Sequence, residues 1–128
     1  MTRFDATTEE DRRSLFADAI RAHEKRQSPF LTIETDSEAD DEQPPWVQFA
    51  DGLVNLDCTD AELDRLKTLL GDYPEFRIEG LERPDEAEGT NVRIAVRADP
   101  ERVAGFIDRI FTEIYERPAD YRAWVAAV

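Results

Sequence analysis

The chain has 128 residues, the usual size of one domain, so a packed core needs neither disulfide nor metal staples. Thirty acids against sixteen bases leave a net charge of −14, which disfavours nucleic acid as a partner, and no apolar run is long enough to cross a membrane. Cys58 is the only cysteine, excluding an internal disulfide and a multi-thiolate zinc site, and the opening MTRFDATTEEDRR lacks the apolar core of a signal peptide, so a cytoplasmic domain is expected.

Thr7-Thr8-Glu9-Glu10 reads as a capping box, with Thr7 taking an orphan amide and Glu10 reaching back, for a first helix that runs to about Lys25. Leu15, Phe16, Ala19, Ile20 and His23 fall on one face of it, while Arg12, Arg13, Asp18, Arg21 and Glu24 fall mostly elsewhere. Ser28-Pro29 breaks the helix, and FLTIET, from Phe30 to Thr35, has the composition of a strand. The stretch ETDSEADDEQPP, residues 34–45, carries six carboxylates and no base; without an apolar anchor it is a solvated connection, expected to be mobile over 35–45.

WVQF and LVNLDC flank Ala50-Asp51-Gly52, and Asp-Gly suits the positive φ angles of a type I′ turn. Strands are therefore predicted at about 46–50 and 53–58, with Val54, Leu56 and Cys58 on the covered face and Leu53, Asn55 and Asp57 on the other. Thr59-Asp60-Ala61-Glu62 is a second capping box, Leu63, Leu66, Leu69 and Leu70 form the stripe of a second helix, and Gly71 suits a left-handed C′ position. Strands at 75–81 and 91–98 turn Phe76, Ile78, Val92, Ile94 and Val96 inward. Asp99-Pro100-Glu101 opens a third helix, in which Val103, Phe106, Ile107, Ile110, Phe111, Ile114 and Tyr115 repeat at three and four residues and Gly105 admits a close neighbour. Pro118 ends it, and ADYRAWVAAV is predicted as a short last helix.

The order is thus α-β-β-β-α-β-β-α plus a short C-terminal helix, an α+β, two-layer domain over 1–128 with a mainly antiparallel five-stranded sheet and helices on one face. This order of elements resembles the secretion-chaperone-like fold, found in type III secretion chaperones and in a family of bacterial sensory and regulatory domains; no sequence motif is shared. The resemblance implies a dimer that holds an extended segment of a protein partner, and it carries over no catalytic residue. The acid excess, with Lys25 and Lys67 the only lysines, is similar to the proteins of salt-accumulating haloarchaea. At about 1 M salt the Debye length falls to about 3 Å and most of the self-repulsion of such a surface disappears.

Candidate site residues are few. His23, the lone histidine, has no oriented partner in sequence and reads as a helix-end cation or a part-buried core residue, and Cys58 reads as a small buried group. A calcium loop starting at Asp36 fails, because its sixth position is Asp41 where Gly is needed and its twelfth is Val47 where Glu is needed, so no metal and no cofactor is assigned. Arg77, Arg93 and Arg97 share the outer sheet face with Glu79; three guanidinium groups there could receive a phosphate, a carboxylate or an acidic peptide, or pair across strands. Tyr121, Trp124 and Val128 make the apolar face of the last helix, which either closes the core or meets a partner such as a second copy. The functional expectation is a non-enzymatic protein-interaction or regulatory domain of a halophilic cytoplasm. A small-molecule or anion sensor on the arginine face is the alternative.

Overall fold

The computed structural model describes residues 5–26, 30–35, 44–83 and 89–127. The acidic connection predicted to be mobile falls largely on 36–43, outside the described residues. The helices are α1 (Glu9–Arg26), α2 (Asp60–Leu70) and α3 (Pro100–Arg109), the last continued by a π-helical turn at Ile110–Ile114. The strands are β1 (Asp5–Ala6), β2 (Leu31–Thr35), β3 (Trp46–Ala50), β4 (Leu53–Cys58), β5 (Arg77–Glu82), β6 (Thr90–Ala95) and β7 (Ala123–Ala127). They form one antiparallel sheet in the order β1-β7-β2-β3-β4-β6-β5. Among the described residues no helix is long and apolar enough to cross a membrane.

The α+β class and the antiparallel sheet are as the sequence predicts, but the sheet has seven strands, not five. The predicted C-terminal helix is β7, which pairs with β2 from Leu31↔Ala127 to Thr35↔Ala123 and with β1 at Asp5↔Trp124. The reason lies in β2, whose Leu31 and Ile33 are buried. Left as an edge strand, β2 would strand a row of peptide groups beside the core, and β7 takes up those groups. Helix propensity in AWVAA loses to that tertiary demand.

One side of the sheet carries Leu31, Ile33, Val47, Phe49, Val54, Leu56, Cys58, Val92 and Ile94, all buried against Phe16, Ile20, Leu66, Leu69, Phe106, Ile107 and Phe111 of the helical layer. α3 is buried continuously from Val103 to Asp108 because α1 packs along it. Gly105, expected to admit a close neighbour, is not required for that approach: a Cβ there would meet the Arg13 guanidinium at 3.5 Å, an ordinary van der Waals contact.

Local signals hold with small corrections. Asp51 (φ 51°) and Gly52 (φ 73°) make the predicted left-handed hairpin turn. Thr59 and Glu62 form the predicted box, Glu62 N donating to Thr59 Oγ1 at 3.2 Å and Thr59 N to Glu62 Oε1 at 2.8 Å. α1, by contrast, is capped one residue later than predicted, Asp11 N donating to Thr8 Oγ1 at 3.1 Å. Gly71 is right-handed (φ −60°, ψ −26°), since its amide and the next continue bonding to Thr68 O and Leu69 O.

Arg12, assigned by its helical position to the polar side, is buried. Its Nε donates to Asp108 Oδ1 at 2.7 Å and its Nη1 to the carbonyls of Thr7 (2.8 Å) and Tyr121 (3.0 Å). Tyr121 Oη donates to the same Asp108 oxygen at 2.8 Å, and the guanidinium lies 3.9 Å from the centre of the Tyr121 ring. This closed network joins α1, α3 and the segment leading into β7.

Candidate functional site

The side of the sheet opposite the helices is the surface the fold leaves open. Among the described residues no helix covers it, and most of its strand positions are partly or fully exposed where their inward neighbours are buried. Register places its side chains in rows across the strands. One row runs Asp5, Trp124, Glu34 and Trp46, then, one alternation beyond the Gln48↔Asn55 pair, Asp57, Asn91 and Glu82. The next runs Ala126, Thr32, Gln48, Asn55, Arg93 and Gly80. A third runs Ala50, Leu53, Ala95 and Arg77.

Charge is therefore sorted along the strand direction. All four carboxylates of these rows lie in the first, the middle row is uncharged except for Arg93, and Arg77 stands in the third with Arg97 beyond it. The carboxylates are anchored from within the face: Trp124 Nε1 donates to Glu34 Oε2 at 2.9 Å, Asn91 Nδ2 to Asp57 Oδ1 at 2.9 Å, and Arg122 Nε to Asp5 Oδ2 at 2.8 Å. Asn91 Nδ2 also donates to Asn55 Oδ1 at 2.6 Å, tying the first row to the second.

The predicted anion-binding residues all face outward or extend that phase, but they form no cradle. Arg93 lies across Gly80, where a Cβ would meet its guanidinium at 2.6 Å, and reaches within 4.0 Å of Glu82. Arg77 sits opposite Ala95, and Arg97 follows β6 with its stem 3.7 Å from a Cβ built on Gly52. Glu79, expected beside them, is displaced by a bulge between Ile78 and Gly80, and Gly80 takes the place opposite Arg93 while Glu82 falls opposite Asn91. The predicted partner-binding residues separate: Tyr121 is buried on the helical side with Arg12 and Asp108, Trp124 is on the open face, and Val128 lies outside the described residues. Glu34, Trp46, Gln48 and Asn55, which sequence reasoning did not single out as site residues, make up the centre of this face. The alternation of FLTIET, WVQF and LVNLDC assigns them to it.

At the acidic end of the face a cleft of about 410 Å³ is lined by residues including Pro45, Trp46, Asp57, Cys58, Glu62 and Tyr115. Its groups hold the fold together. Thr59 and Glu62 cap α2, and Tyr115 Oη donates to the Asp57 carbonyl at 2.5 Å. Burial, with Glu62 and Asp57 nearby, pushes the Cys58 thiol up to about 12, which keeps it protonated and a poor nucleophile. Burial likewise raises the Tyr115 hydroxyl. His23 lies elsewhere, in the core, edge-on to Phe49 at 5.6 Å. Among the described residues no three His, Cys, Asp or Glu side chains are placed to hold a metal ion.

No curated protein and no solved structure matches the chain. The profile of one family does, from end to end, and on that match the chain belongs, over residues 1–128, to a family of unknown function, DUF7975.

Proposed function

We propose that this protein is a non-enzymatic protein-interaction domain of a high-salt cytoplasm and that its binding surface is the open face of the sheet. One observation carries the reading. On a chain of net charge −14, this face sets Arg77, Arg93, Arg97 and Arg122 against Asp5, Glu34, Asp57 and Glu82 and also bears both tryptophans. A surface shaped only to stay hydrated in brine has no need of charge balance or partly exposed indoles, whereas a contact surface uses both. A photo-crosslinking amino acid at Gln48, the centre of the face, is expected to yield a discrete adduct in cells at native salt. The same group at Lys67, exposed on α2, is expected to yield none. Equal behaviour at the two positions counts against the reading.

An anion sensor is the second reading. It is favoured by Arg77 and Arg97, which have no ion-pair partner within 4.0 Å among the described residues. Titration with inorganic phosphate at constant ionic strength tests it: saturable binding lost in Arg77→Gln/Arg97→Gln supports the sensor, and unchanged binding removes it.

A further inference from the structure

We propose that the occupant of the open face is a second copy of the chain, packed sheet to sheet with its strands antiparallel, about a two-fold axis along the Thr32–Gln48–Asn55–Arg93 row. This rests on reading the face as a contact surface. Rotation about that row lays the row on itself and exchanges its neighbours, so the acidic row of each copy covers the Ala50–Leu53–Ala95–Arg77 row of the other. Each strand lies over its own counterpart. Glu82 of one copy then meets Arg77 of the other, twice by symmetry, because both residues belong to β5. Size matches on two strands, Trp46 falling over Ala50 on β3 and Asn91 over Ala95 on β6, while Asp57 falls over Leu53 on β4 and Arg93, on the axis, meets its own counterpart.

The other face-to-face two-fold, parallel to the strands, lays the acidic row on itself. It would bring Glu34 over Asp57 and Asp5 over Glu82, like charges in both cases. Two opposite-charge contacts and one Arg93–Arg93 contact in the first arrangement, against four like-charge contacts in the second, select the first. Seven strands at about 4.8 Å and five residues at about 3.3 Å span about 29 by 17 Å. That is about 500 Å² in projection before side-chain relief is added, the scale of the about 800 Å² per partner in stable complexes. Because each copy carries −14, contact is restricted to its charge-balanced face and is favoured by high salt.

Sedimentation in about 1 M salt, where screening acts within about 3 Å, is expected to give a dimer. Arg77→Glu and Glu82→Arg are each expected to weaken it at least about tenfold, since each places like charges face to face twice. An equimolar mixture of the two variants is expected to regain wild-type association, because both contacts in the mixed dimer are again of opposite sign. Independently, Gln48→Cys sits on the axis and is expected to be joined to its counterpart by a short bis-maleimide, to which each thiol adds, while Lys67→Cys is not; Cys58 is buried and stays silent. A dimer indifferent to the charge variants, or a mixture no better than either alone, overturns the proposal. A monomer whose Gln48 photo-crosslinks to a different protein overturns the second copy and keeps the contact face. A monomer with no Gln48 adduct overturns both.

Discussion

At the scale of single residues, the strongest commitments are in the Arg12–Asp108–Tyr121 network. Asp108→Ala would leave the Arg12 guanidinium buried without its counter-charge and is expected to cost about 3–5 kcal/mol, read from denaturant midpoints in molar salt. Glu75→Ala removes the exposed Arg102–Glu75 pair, which solvent screens, and is expected to leave the denaturant midpoint essentially unchanged. Cys58 gives a prediction in pH. Burial holds its proton to about 12 in the folded state against an ordinary value of 9.0, so in that interval the unfolded chain binds fewer protons and stability falls as pH rises. The contribution is complete below about 9 and is lost on the way to 12; in Cys58→Ala the decline of the urea midpoint across that window is expected to flatten. The buried thiol was legible in the alternation of LVNLDC. Arg12 was not, because a helical position reports what surrounds a side chain only once the neighbouring helix is known, and Asp108 comes from 96 residues away.

Among the elements, those framed by their own residues were readable. α2 begins where Thr59 and Glu62 say it begins, and Thr59→Ala is expected to cost about 1 kcal/mol in thermal or denaturant unfolding. The β3–β4 hairpin follows from Asp51-Gly52 in the same way. β7 shows where such reading stops. Nothing within ADYRAWVAAV says that β2 lacks a neighbour, yet that lack is what extends the segment. Truncation after Pro118 would remove β7, the Tyr121 groups that hold Arg12, and the strand that pairs with β1. It is expected to abolish cooperative unfolding by circular dichroism; a truncated chain that melts cooperatively near the full-length temperature would contradict the central position of β7. The bulge in β5 is a similar case, since it sets Gly80 rather than Glu79 opposite Arg93 and only the pairing with β6 reveals it.

For the molecule as a whole, charge sets the conditions under which the rest can form. A net charge of −14 on one small domain opposes compaction at low ionic strength, so thermal stability is expected to rise steeply as salt goes from about 0.1 M to about 1 M, over which the Debye length falls from about 10 to about 3 Å. A melting temperature flat over that range would mean that the carboxylates are compensated within the fold. The open face bears on this directly, because its arginines and acids balance locally and should respond less to salt than the helical surface. Sequence alternation could assign Arg77, Arg93 and Asn55 to one side of a sheet. It could not arrange the carboxylates in a single row, since that depends on which strands are neighbours.

By itself the sequence determined much that depends on residues near one another along the chain: the α+β class, the capping box of α2, the β3–β4 turn, and the inward and outward phase of β4 and β6. Tertiary structure alone decided the insertion of β7 between β1 and β2, the burial of Arg12 and the sorting of charge across the open face. Each of these joins groups that are distant in sequence, and the free energy that selects them, satisfied peptide groups and paired buried charge, exists only after the elements have met.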